Sequence, residues 1–125
     1  MVTNMPTSKK KTRPISWIVP ARKDFEQFSI KVQEDALSAL TIAAEGGKSD
    51  NTKPFKSVGS GVLEIVLKHQ GDAYRVVYAV KIGKDIWVIH AFQKKSKTGI
   101  KTPQKEVDLI KKRLQMLKEK LKNER

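Results

Sequence analysis

Cysteine is absent from this 125-residue chain, which excludes disulfides and thiolate metal sites. Histidine is scarce, with only His69 and His90 present. That is too few for a histidine-rich metal centre, so neither a metal nor another cofactor is expected. No apolar run approaches the roughly 20 residues that a membrane-spanning helix requires. Residues 1–13 are polar and then basic, without the apolar stretch of a secretory signal. A cytoplasmic location with no membrane partner is therefore the expectation. Acidic residues are also in short supply: 13 Asp and Glu stand against 26 Lys and Arg, a formal net charge of +13. Such an excess creates a positive field that attracts polyanions, of which nucleic acid is the commonest. An anionic membrane surface fits less well, because no helix combines a strong apolar face with aromatic anchors and a basic face.

The length is that of one domain with one modest core. Residues 1–13 read as a flexible basic tail, in which Lys9, Lys10, Lys11 and Arg13 have at most loose affinity for phosphate, and residues 14–125 read as the domain. Ile15 to Val19 is β-branched and aromatic between two prolines, a short strand. From Pro20 to Ala44 the apolar positions recur at helical spacing, with a break near Ser29, and Gly46-Gly47 ends the helical hairpin. Residues 46–61 read as a loop without phosphate-loop spacing.

Three strands follow, Val62–Leu67, Tyr74–Ile82 and Asp85–Phe92, with connections short enough to force antiparallel pairing. Alternation puts Glu64 opposite the Leu63, Ile65 and Leu67 face. It groups Arg75 with Val77 and Ala79, and His90 with Val88 and Phe92. Thr102-Pro103 reads as a cap and first-turn proline for a last helix whose stripe is Val107, Ile110, Leu114, Leu117 and Leu121. The predicted class is α+β: a small antiparallel sheet, with helices on one face and an open basic face that suits RNA.

Gly-Val-Leu-Glu-Ile (61–65), Tyr-Arg-Val-Val-Tyr (74–78), His-Ala-Phe-Gln-Lys-Lys-Ser-Lys (90–97) and Thr-Pro (102–103) at these spacings resemble the HigB-like, phage-derived toxins of the RelE/ParE superfamily. The similarity runs over roughly residues 15–121. It implies the RelE-like fold and a ribosome-dependent mRNA endoribonuclease that inhibits translation as the toxin of a type II toxin–antitoxin system. The implied partners are the ribosome, mRNA and a cognate helix-turn-helix antitoxin.

Metal-free RNA cleavage uses the substrate's 2′-hydroxyl as nucleophile. It needs a base for that proton, cations for the charge growing on phosphorus, and an acid for the leaving 5′-oxygen. Arg75, at the position where the resemblance implies a catalytic arginine, suits the phosphate by its permanent forked charge. The other reading is an exposed strand arginine in an ion pair with Glu64 across the sheet. Lys94 and Lys95 match the family's basic pair and either bind the scissile phosphate, titrate there, or hold RNA by charge alone. His90 is the natural acid or base near neutral pH, or else a histidine satisfied within the sheet or under the last helix. Glu64 is a base or, more simply, a partner orienting Arg75. Lys56, Lys68, Lys97 and Lys101 are candidate RNA contacts. RelE itself carries lysines where this chain has Glu64 and Val66, and a catalytic tyrosine without a counterpart here, so the base stays open. Two competing functions remain: a ParE-like gyrase poison on the same fold, and a non-catalytic nucleic-acid-binding module.

Overall fold

The computed structural model describes residues 12–94 and 102–124. Most of the expected tail, and Lys95, Lys97 and Lys101, lie outside them. Among the described residues the order is β1 (Ile15–Trp17), α1 (Val19–Phe25), α2 (Ile30–Ala44), β2 (Thr52–Pro54), a 3₁₀ turn (Lys56–Val58), β3 (Val62–His69), β4 (Asp72–Ala79), β5 (Ile86–Lys94) and α3 (Gln104–Asn123). The class is α+β, as the sequence predicts.

Local chemistry sets the boundaries. Pro20 sits in the first turn of α1, where its missing N–H is not needed. Ser29 caps α2, its hydroxyl accepting from the Val32 amide at 3.3 Å. Gln70 and Gly71 both have positive φ, 52° and 85°, and they join the paired residues His69 and Asp72 as a two-residue hairpin. Beyond Ala79 the chain leaves the ladder earlier than alternation predicts. The carbonyls of Val80, Lys84 and Asp85 accept instead from the Arg13 guanidinium, at 2.7, 2.8 and 3.0 Å. Arg13 thereby fastens the β4–β5 connection.

The sheet has five strands in the order β1-β5-β4-β3-β2. α1 and α2 carry the chain from one edge to the other, and the antiparallel strands then return, so that β5 lies parallel to β1. Three features differ from the expectation. The parallel β1–β5 pair makes the sheet mixed and not antiparallel throughout. The polar loop contributes an edge strand, β2, with Lys53 opposite Glu64. The sheet also has no open face among the described residues. Phe25, Val32 and Leu40 of α1 and α2 cover Ile65, Val76, Tyr78 and Val88 on one side. Val107, Ile110, Leu114 and Leu117 of α3 cover Val77, Ala79 and Ile89 on the other. Apolar residues occupy both alternation phases of β4, so each face demands a cover.

A β-bulge corrects the expected phase of β5. Tyr78 pairs with Val88 but Val77 pairs with His90, which leaves Ile89 as an extra residue. Val88 and Ala91 face the α1–α2 layer, whereas Ile89 packs in the α3 layer. His90 lies on that same side, bonded to α3. His90 therefore shares its face with Ile89, not with Val88.

Candidate active site

The register of the sheet gathers charge on the α3 side. Arg75 lies opposite Val66 of β3 and Phe92 of β5. Glu64 lies opposite Val77 and, on its other flank, Lys53. Arg75 and Glu64 are thus diagonal neighbours. The Arg75 guanidinium donates to Glu64 Oε2 at 3.0 Å, with Arg75 and Glu64 only 4% and 2% exposed. The same carboxylate oxygen accepts from the Thr102 hydroxyl at 2.9 Å. Thr102 was expected to cap α3. Instead Pro103 takes the cap position without a side-chain bond, and the Thr102 hydroxyl is directed onto Glu64.

Lys94 ends β5 on the row next to Arg75 and is itself buried. Its ammonium is held below the usual lysine pKa, first by burial and then by the Arg75 charge. Glu64 opposes that shift and Lys53 adds to it. Lys68 and Lys94 both lie opposite Ala73, so the register brings Lys68, Arg75 and Lys94 onto adjacent rows. Lys56 is exposed on the 3₁₀ turn.

His90 has a different setting. It is 3% exposed, stacked on Phe92 with ring centroids 5.1 Å apart. Arg113 of α3 approaches its Nδ1 at 2.7 Å and Glu106 approaches its Nε2 at 2.6 Å. A guanidinium only donates, so Nδ1 accepts and Nε2 carries the proton, which it gives to Glu106. Burial lowers the His90 pKa; the Glu106 hydrogen bond opposes that and the Arg113 charge reinforces it. Arg113 also donates to the Ile89 carbonyl at 3.1 Å. The neutral imidazole therefore ties α3 to the bulge.

Residues 23–115 match the family described as Phage derived protein Gp49-like. The chain belongs to this phage-derived Gp49-like family. The matched segment contains Glu64, Arg75, His90, Lys94, Thr102 and Arg113 alike. One solved structure, a toxin–antitoxin complex RelBE2 from Mycobacterium tuberculosis, has a chain similar to this one at 13% identity and a TM-score of 0.47, covering 72% of this chain and 100% of that one. No curated protein matches the chain.

Sequence reasoning about this Gp49-like protein missed Thr102, Lys53, Glu106 and Arg113 as neighbours of the candidate residues. A cap motif hid the first and a polar loop the second. The other two are α3 positions in its first and third turns that face His90. Among the described residues, no three His, Asp or Glu side chains group so as to hold a metal ion, and no helix is long and apolar enough to cross a membrane.

Proposed function

We propose that this Gp49-like protein is the toxin of a type II toxin–antitoxin system, a HigB-like, RelE-type endoribonuclease that cuts mRNA on the ribosome without a metal and so inhibits translation. The observation that supports it is the grouping of Glu64, Arg75 and Lys94 on three adjoining strands, with Thr102 reaching Glu64 from just before α3. The RNA 2′-oxygen attacks phosphorus, the bond from phosphorus to the 5′-oxygen breaks, and the products are a 2′,3′-cyclic phosphate and a 5′-hydroxyl. Arg75 stabilises the charge growing on the phosphoryl oxygens. Lys94, with its pKa brought down, exchanges protons more readily than an ordinary lysine and is the candidate to protonate the 5′-oxygen or take the 2′ proton. Glu64 and Thr102 fix the Arg75 fork. Lys95, His90, Lys97, Lys101, Lys68 and Lys56 remain candidates from sequence: Lys95 and His90 for the chemistry, the other lysines for holding RNA. The cognate antitoxin, a helix-turn-helix protein, is the proposed partner in a cytoplasmic setting.

Induced expression should arrest growth and produce cuts confined to translated messages, unaffected by chelator. Arg75→Ala should lower cleavage by about 100- to 1,000-fold, as removal of a transition-state donor does. An Arg75→Ala protein as toxic as the wild type, or equal cutting of naked RNA, defeats the reading. DNA damage instead of translational arrest would select the gyrase alternative. Binding of RNA without cleavage would select the non-catalytic one.

A further inference from the structure

An apolar groove of about 620 Å³ runs between the β1–α1 corner and the outer side of α3. Its apolar lining comes from Trp17, Val19, Trp87, Leu109 and Met116, and Lys112 and Lys120 supply its positive charge, Arg113 being turned onto His90 and the Ile89 carbonyl. No acidic residue lines it. Val19 and Met116 are 65% and 59% exposed, although neither is in the reaction centre. Trp87 also lines a second depression, where Lys81, Lys84, Lys118 and Lys122 accompany a single acid, Asp85. Apolar side chains exposed together inside a polar rim mark a contact surface.

We propose that this groove seats an acidic amphipathic helix of a partner protein. The apolar floor asks for an apolar stripe at i, i+3, i+4 and i+7, and the lysine rim asks for carboxylates beside it. The stretch of α3 from Leu109 to Lys120 is about 16 Å long at 1.5 Å per residue, which fits about three turns of such a helix. The occupant is not another copy, because each chain brings a net charge of +13. Nor does the chain's own Lys9-Lys10-Lys11 stretch suit a rim of the same sign. Assigning the helix to the antitoxin rests on the function proposed above; the chemistry of the groove does not.

Trp17 and Trp87 are the two tryptophans of the chain, and both line the groove, so intrinsic fluorescence of the full chain reports it directly. The probes are tryptophan-free synthetic helices of about five turns. One is Glu-rich with a leucine stripe, one has the same composition with its leucines spread round the helix, and one has the stripe with Lys replacing Glu. The acidic striped helix should shift the emission to the blue. Val19→Asp and Met116→Glu should each weaken it by about tenfold or more, as removal of a central apolar anchor does. Both variants should fold, because an acid suits a helix start and Glu is a good helix former. Both should still arrest growth, which separates failure of the groove from failure of the ribonuclease reading, since Arg75→Ala alone tests the latter. No shift, equal binding of the spread or basic helix, or full affinity in the two variants overturns the proposal. So does an RNA oligomer that shifts the emission and loses that effect in the same variants.

Discussion

At the scale of single residues, the pair formed by Arg75 and Glu64 carries the greatest electrostatic stress. Both groups are almost wholly buried, so each is stabilised by the charge of the other. Removing one partner from such a buried pair costs about 3–5 kcal/mol, whereas replacing both by apolar side chains is often neutral. Glu64→Leu should therefore lower stability by that amount in urea unfolding, and Glu64→Leu with Arg75→Met should recover most of it while remaining inactive. If the double variant is no more stable than the single, the pair is not what holds these residues in place. This pairing was legible in the sequence. Alternation puts Glu64 opposite the Leu63, Ile65 and Leu67 face and groups Arg75 with Val77 and Ala79, and the hairpin register brings the two onto one face. The Thr102 contact was not legible, because a threonine before proline also has the signature of a helix cap.

At the scale of elements, α3 is tied to the sheet through His90. The bonds from Arg113 and to Glu106 require the neutral ring, and burial lowers its pKa below the ordinary 6.5. In the unfolded chain the same histidine takes up a proton near 6.5. The tie is therefore fully effective above that value and is lost as pH falls through 6.5 toward the depressed folded-state pKa. His90→Gln can accept from Arg113 and donate to Glu106 without titrating. Denaturation midpoints for the wild type should fall with acidification below 6.5, and those of His90→Gln should fall less. Identical pH profiles would show that the imidazole does not supply the slope. The sequence revealed the stripe of α3 but not its destination, since Val76 and Val77 make both sheet faces apolar. It also hid β2, whose Thr-Lys-Pro has little strand character without Ile65, Glu64 and Leu63 beside it.

At the scale of the whole molecule, a sheet enclosed between two helical layers has no neutral side on which a strand can misplace its residues. Every residue of β5 beyond Val88 is sorted into one layer or the other by the unpaired Ile89. Were the strand regular, alternation from Val88 would turn Ala91 toward α3 and send Phe92 and Lys94 toward Phe28 and Tyr74. Ile89 thus acts as a spare beat in the rhythm of the strand. Two single-residue deletions should then have effects opposite to their burial. Removing Ile89, fully buried, leaves the pairings of His90 with Val77 and of Phe92 with Arg75 intact. It should cost only the side chain, about 2–5 kcal/mol, with cleavage retained. Removing the more accessible Gln93 would slide Lys94 into the slot opposite Tyr74 and should silence the protein, as a growth-arrest assay would report. The position of the Lys94 ammonium beside Arg75 thus depends on where an uncounted residue falls along a strand.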